Sequence, residues 1–375
     1  MTDGSPSDLK NPALARGFSS PDTMRLVPEG LVGGPAARTA VNDGTALWLA
    51  GGPLAFTRVR LLWRPETGPA DEIGFGLNDL RVWADRTDSA PMLDAALARL
   101  TGPRPDILNF DHSRPKIVGV LNVTPDSFSD GGQFESADAA INHGISMIDD
   151  GADMIDIGGE STRPGADPVS PETQCRRVLP VIDALAGRIP ISVDTRSAQV
   201  MRRAVATGAS VVNDVSALSA DPEALKAAAD LACPVILMHS LRAPKTMQVA
   251  PSYRDVRLDI ADYLDGRLAA CEAHGISRDR IVVDPGIGFG QNDAHIALLL
   301  RDLAVLHGLG CAVMLGASRK SFIGRIDRDG PAVARLGGSV AAASLGLARG
   351  VQFLRVHDVA QTRQAVAVWS HVEGR

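Results

Sequence analysis

Residues 116–132 read KIVGVLNVTPDSFSDGG. A short apolar run, 116–123, reaches Asn122 and passes at once into a polar loop that carries two glycines. The same figure returns along the chain. Runs 154–159, 191–194, 211–214, 235–239, 281–284, 313–318 and 353–357 are each short and apolar and end on a polar or charged residue or a glycine. The segments between them read as helices. A strand and helix repeated eight times is the pattern of a closed α/β barrel, the (β/α)8 or TIM barrel. In that architecture the C-terminal strand ends carry the chemistry. Asn122, Asp194, Asn213, Asp214, His239, Asp284, Arg319, Lys320, Arg355 and His357 are therefore expected around one cleft.

The intervening helices have legible ends. Helix 136–149 has Ser136 as its expected N-cap, with Ala140, Ile141, Ile145 and Ile148 near helical spacing. Helix 171–185 starts with a proline behind Ser170, and helix 222–230 starts behind Asp221. Helices 196–206, 254–273 and 294–307 stop at Gly208, Gly275 and Gly308. Helices 332–347 and 359–369 complete the repeat.

Before the barrel the pattern differs. Residues 1–24 are rich in Ser, Gly, Pro and Asp and are expected to form a flexible tail. Residues 25–112 form an N-terminal extension of unknown role, with strands expected at 24–27, 46–49 and 54–63 and a short helix at 93–100. Trp48, Trp63 and Trp83 lie there, which suits a folded appendage rather than a linker. No motif residue precedes Lys116, so this extension is expected to be dispensable for chemistry. Residues 113–375 are assigned to the barrel.

Composition narrows the function. The chain has 375 residues, 45% hydrophobic and 22% charged, with a formal net charge of −6. That balance suits a globular enzyme and disfavours general nucleic-acid or membrane-surface partners. The first 20 residues lack an apolar core for secretion, no run approaches a membrane span, and the four cysteines form no CxxC pair. A cytoplasmic location is expected.

The strand ends suggest particular chemistry. Asn122 offers an amide oxygen suited to Mg²⁺ beside substrate phosphates. The loop Thr124–Gly132 could act as a lid. Thr162 and Arg163, in the turn after the second strand, suit an anion. The run Asp284–Gly290 (DPGIGFG) lacks dinucleotide spacing, and a strand-end aspartate would repel pyrophosphate. Asp194, Asn213 and Asp284 can instead hold an aminopyrimidinone edge, carboxylates accepting from adjacent ring N–H groups and the asparagine satisfying a mixed edge. Lys320 can donate to the ring carbonyl. Arg355 and His357, two apart on the last strand, face one side and form an anion site.

Together NVTPDSFSDGG (122–132), DIGGESTRPG (156–165), VDT (193–195), NDV (213–215), MH (238–239), DPGIGFG (284–290), SRKS (318–321) and RVHD (355–358) resemble dihydropteroate synthases, of the pterin-binding family. The resemblance spans about residues 114–371. It implies a transferase of folate biosynthesis, a sulfonamide target, joining 6-hydroxymethyl-7,8-dihydropterin diphosphate to 4-aminobenzoate with release of pyrophosphate. Carried over by motif, Asp194, Asn213, Asp284 and Lys320 bind the pterin. Asn122 with Mg²⁺, Thr162, Arg163, Arg355 and His357 bind diphosphate. Phe128, Arg163, Pro164 and Ser321 shape the aminobenzoate site. Asp194, Lys320, Arg355 and His357 carry the catalysis, with C–O cleavage first. A homodimer through the last helices is also implied, with Trp369 on the final one. One departure lies after the fifth strand, where the family's MHMxGxP is MHSLRAP (238–244). Two alternatives remain at this stage. One is a pterin-dependent methyltransferase serving a corrinoid protein, against which the lid motif and the Arg355/His357 pair count. The other is an inactive pterin-binding paralogue.

Overall fold

The fold is that of a computed structural model, which describes residues 24–65, 69–110, 114–124, 133–161, 166–241 and 251–373. Of the tail expected over 1–24, residues 1–23 lie outside them, and Met24 is instead a buried residue that opens the first strand; of the lid expected over 124–132, residues 125–132 lie outside them.

The N-terminal unit is an antiparallel sheet with helices on one face. Its elements are β1 (Met24–Val32), α1 (Gly34–Asn42), β2 (Leu47–Trp48), β3 (Ala55–Trp63), β4 (Asp71–Gly76), α2 (Leu77–Arg86) and α3 (Ala90–Thr101). Strand β3 is central, with β1 on one side and β2 and β4 on the other. Alternation sorts its residues between two faces. Val59, Leu61 and Trp63 pack with Leu80, Trp83, Leu93 and Leu97 of the helices. Val27 and Leu62 join the barrel's core instead. The sequence reading lacked α1, β4 and α2. Helix α1 buries only Gly34 and Ala37, so it shows little apolar periodicity, and β4 begins with the exposed Asp71 and Glu72.

The barrel strands are β5 (Lys116–Asn122), β6 (Met154–Gly158), β7 (Ile191–Asp194), β8 (Val211–Asp214), β9 (Val235–Met238), β10 (Ile281–Asp284), β11 (Ala312–Leu315) and β12 (Phe353–Val356). All eight are parallel and close with β12 beside β5. The expected barrel is thus present. Between the strands lie α4 (Gln133–Asp149), α5 (Pro171–Leu185), α6 (Ala198–Thr207), α7 (Ala224–Leu231), α8 (Val256–Ala273), α9 (Asp293–Arg301), α10 (Ser321–Ile326) and α11 (Leu336–Leu347), and α12 (Val359–Val372) ends the repeat. Helix α4 starts at Gln133, three residues before the expected N-cap Ser136. The helix expected over 294–307 breaks at Asp302 into α9 and a 3₁₀ segment, Leu303–Leu309. Asp302 is buried there among the Arg60, Arg257 and Arg301 guanidiniums.

Inside the barrel, the floor is apolar. Val118, Met154, Val211, Ile236, Val282, Ala312, Met314 and Phe353 form one apolar cluster there, with Met314 one level above Ala312 on the same strand. Ile107, Leu108 and Phe110, from the connection out of the N-terminal unit, plug that cluster from below. Phe110 lies 6.3 Å from the Phe353 ring, and the Lys116 ammonium stands 5.8 Å from the Phe110 centroid. Burying Ile107 to 5% exposure contributes about 2 kcal/mol. The linker therefore serves as the barrel's base.

Candidate active site

Strand parity decides which polar groups face the interior. Residues two apart share a side. Above Met154 come Asp156 and Gly158; above Val211, Asn213; above Val282, Asp284; above Phe353, Arg355 and His357. The register sets Asn122 beside Gly158, Gly158 beside Asp194, and Asp194 beside Asn213. These residues form a polar layer directly over the apolar floor.

Arg355 stands at its centre. Its Nε donates to Asp156 Oδ2 at 2.7 Å and its Nη2 to Asp194 Oδ2 at 2.9 Å. Asn213 Nδ2 donates to the same Asp156 oxygen at 3.0 Å. Burial alone would lower the Arg355 pKa, but Asp156 and Asp194 raise it, so the cation is secure. Asp156 is fully buried, and its Oδ1 has no partner among the described residues. Asp156 opens the segment DIGGESTRPG but is not among the residues expected at the site. A carboxylate in the middle of the apolar strand MIDIG was the available signal, because nothing apolar justifies its burial.

Asp284 is 3% exposed and accepts the Gly286 N–H at 2.7 Å. Burial raises its pKa, against the pull of that hydrogen bond and the Lys320 and Arg355 charges. Burial raises Asp194 too, reinforced by Asp156 and opposed by Arg355. Gly286 is obligatory: its φ is +65°, and a Cβ there would run into the His239 carbonyl oxygen. Lys320 Nζ sits 4.1 Å from the Phe289 ring centroid. Phe289, Met238 and Val215 form a small apolar cluster of their own, a surface for one face of a flat ring.

His357 is half-buried, with Nδ1 3.2 Å from Ser318 Oγ. Burial, then the neighbouring Arg355, Arg319 and Lys320, lower its pKa to about 3. It is a neutral hydrogen-bonding group, and Arg355 carries the positive charge of that pair. Asn122 and Asp194 converge in front of Gly158: a Cβ on that glycine would lie 3.7 Å from Asn122 Oδ1 and 3.8 Å from Asp194 Oδ2. Ser321 lies on the exposed rim, its hydroxyl accepting from Arg325 at 2.8 Å.

Three expected members of the cleft do other work. Asp214 follows Asn213 and has the opposite parity. It is wholly buried and accepts from the Ser216 and Leu218 N–H groups at 2.7 and 3.1 Å, shaping the next loop. Arg319 turns away at φ +57° and pairs with Asp358. His239 packs edge-on against Tyr263, 5.0 Å between centroids, and burial lowers its pKa to about 4. Phe128, Thr162, Arg163 and Pro164 lie outside the described residues.

The comparisons with known proteins agree with this geometry. Residues 118–357 match the family model described as pterin binding enzyme. The Escherichia coli K12 dihydropteroate synthase is 46% identical over 262 residues, covering 69% of this chain and 92% of that protein. The Xanthomonas albilineans dihydropteroate synthase with 4-aminobenzoic acid superposes with a TM-score of 0.68 at 46% identity, covering 73% of this chain and 99% of its own. The same enzyme in complex with 7,8-dihydropteroate gives 0.64 at 41%, covering 73% and 100%. The Yersinia pestis enzyme with a sulfonamide drug gives 0.68 at 43%, covering 71% and 97%. With this identity across the whole barrel, the chain belongs to the pterin-binding enzymes, in the dihydropteroate synthase family.

Proposed function

We propose that this chain joins 6-hydroxymethyl-7,8-dihydropterin diphosphate to 4-aminobenzoate, giving 7,8-dihydropteroate and pyrophosphate in folate biosynthesis. The observation that carries this is the buried layer of Asp156, Asp194, Asn213 and Asp284 around Arg355, beneath the Lys320–Phe289 pair. It matches an aminopyrimidinone ring in donors and acceptors. Asp284 accepts ring N–H groups through the oxygen beside Gly316. Asn213, donating to Asp156, keeps its amide oxygen for the ring. Lys320 donates to the ring carbonyl, and Phe289, Met238 and Val215 meet its face.

The route follows from these charges. Asp194 faces the ring and stabilises positive charge as the C–O bond breaks. Arg355, with Nη1 unbonded among the described residues, and the neutral His357 meet the departing diphosphate. Thr162 and Arg163 assist them. Phe128, Arg163, Pro164 and Ser321 shape the aminobenzoate pocket, where sulfonamides compete. No protein nucleophile is needed. Asn122 offers its amide oxygen to the space in front of Gly158, a single donor that fits Mg²⁺ held mainly by substrate phosphates and water. Among the described residues no three His, Cys, Asp or Glu gather as a metal cage. Bound there, Mg²⁺ would neutralise diphosphate charge.

A homodimer through α11 and α12 is supported by Leu345, Val368 and Val372, which are 46, 61 and 74% exposed on those two packed helices. Sedimentation tests it. No described helix is long and apolar enough to cross a membrane, and the four cysteines are free and buried, which supports a cytoplasmic setting. The deciding experiment is pyrophosphate release. Release that requires both substrates supports the reading, and a purified, folded chain that releases none overturns it.

A further inference from the structure

The family relatives cover 68–73% of this chain and match it over the barrel. The N-terminal unit is additional. It meets the barrel at Asp302 and along the 3₁₀ segment 303–309, and one group of its contacts gathers around the start of α8. Arg64 pairs with Asp259 at 2.6 Å and also with Asp262. The other oxygen of Asp259 accepts the Arg254 backbone N–H at 2.8 Å. The Arg254 guanidinium in turn donates to the Pro65 carbonyl. Glu72, at the start of β4, accepts from Arg257 at 2.7 Å and Arg60 at 2.9 Å. Arg257 is 5% exposed and also holds Asp255, the N-cap that accepts the Arg257 and Leu258 N–H groups.

One residue before Arg254 is Tyr253. Its hydroxyl donates to the Gly290 carbonyl at 2.9 Å, and its ring packs 6.0 Å from His239 and 5.0 Å from His295. Gly290 closes the loop that begins at Asp284 and carries Phe289. The path therefore runs from β3 and β4, through the first turn of α8 and Tyr253, to the loop assigned to the pterin ring. Its steps are hydrogen bonds and ion pairs, joined at Tyr253–Arg254 by the chain itself, and the Arg257–Asp255 pair is the one most shielded from water, where screening is weakest.

We propose that Arg64 and Glu72 of the N-terminal unit are positioning residues for the pterin pocket, acting through Arg254, Arg257 and Tyr253 on the Asp284–Gly290 loop. The extension is then part of the enzyme's working structure rather than the dispensable appendage its lack of motifs suggested. This rests on the pterin reading of the site for its kinetic consequence but not for its structural one. A free loop samples geometries in which Asp284 and Phe289 miss the ring, which weakens pterin binding before it slows chemistry.

The test compares full-length Arg64→Ala/Glu72→Gln with Arg25→Ala. Arg25 holds the same unit to α8 farther along, at Asp262, which it shares with Arg64, and at Asp265 (2.9 and 3.0 Å), without touching Asp259, Arg254 or Tyr253. Two readouts are taken: hydrogen exchange of the ligand-free proteins at residues 286–290, and KM for the pterin diphosphate. The double variant should exchange faster in that loop and show KM raised about two- to tenfold, with kcat little changed. Arg64→Lys should restore part of the loss. Arg25→Ala should leave both readouts near wild type while lowering thermal stability. Equal effects from Arg25→Ala, or none from the double variant, would overturn the proposal. If the wild type turns over no substrate, the assigned reaction fails, and the exchange comparison still decides whether the unit orders the loop.

Discussion

Asp284→Asn separates ligand recognition from folding at this site. Asn keeps the volume, and its Oδ1 can still accept the Gly286 N–H now 2.7 Å away. What changes is the oxygen facing the ring, which becomes an NH₂ opposed to a ring N–H. At 3% exposure water cannot repair the mismatch. An unsatisfied buried group costs about 1–3 kcal/mol, so affinity for a pterin analogue should fall roughly ten- to a hundredfold. Stability should hold or rise, because burial already opposes the Asp284 charge and raises its pKa. Arg355 keeps Asp156 and Asp194 as partners. Acidification sharpens the test. A raised pKa means that Asp284 takes up its proton at milder acidity than an ordinary carboxyl near 3.8. The wild type should lose pterin affinity as pH falls through that raised value, and the Asn variant should not follow it. The group's share of empty-site stability runs the other way: it is present below the unfolded pKa and lost as pH rises through the folded one. Calorimetric titration at two pH values, with melting curves, reads both. Unchanged affinity at neutral pH would refute the assignment, and a joint fall in affinity and melting temperature would indicate misfolding.

Three further outcomes follow from the same structure. Arg355→Ala should abolish pyrophosphate binding and, by leaving Asp156 and Asp194 unpaired in the interior, cost about 3 kcal/mol of stability; Arg355→Lys should recover more stability than anion binding, by denaturant titration and calorimetry. A chain begun at residue 112 loses Ile107, Leu108 and Phe110 from the barrel floor and should melt well below the full chain, as calorimetric scanning would show; equal melting would mean that the plug contributes little. Single-turnover rates with ring-substituted 4-aminobenzoates at saturation should hardly depend on amine pKa if C–O cleavage comes first. A steep rise with basicity would indicate direct displacement and leave Asp194 a ring-positioning role.

Much of the barrel is legible in the sequence because its signal is local. A buried parallel strand needs a short apolar run, and each helix needs a start and a stop, so strand runs such as 191–194, 211–214 and 281–284 coincide with β7, β8 and β10. The polar residues at the strand ends are equally visible, since the fold itself says where chemistry sits. Parity could have been read as well. Asn213 and Asp214 are adjacent, so only one of them can face the interior, and the structure gives that place to Asn213.

Tertiary structure decided the remainder, because the partners lie far apart in the chain. Arg355 meets Asp156 and Asp194 across 199 and 161 residues, and that pairing, not the motif, makes it a held cation beside a neutral His357. Asp302, where a helical pattern breaks, receives guanidiniums from two units. Residues 25–112 carry no chemical motif, yet their charges are placed to grip α8 and their last residues to close the barrel floor. Composition marked that segment as folded. Only the three-dimensional arrangement shows what it holds, since an ion pair depends on distance in space, and separation along the chain gives no measure of it.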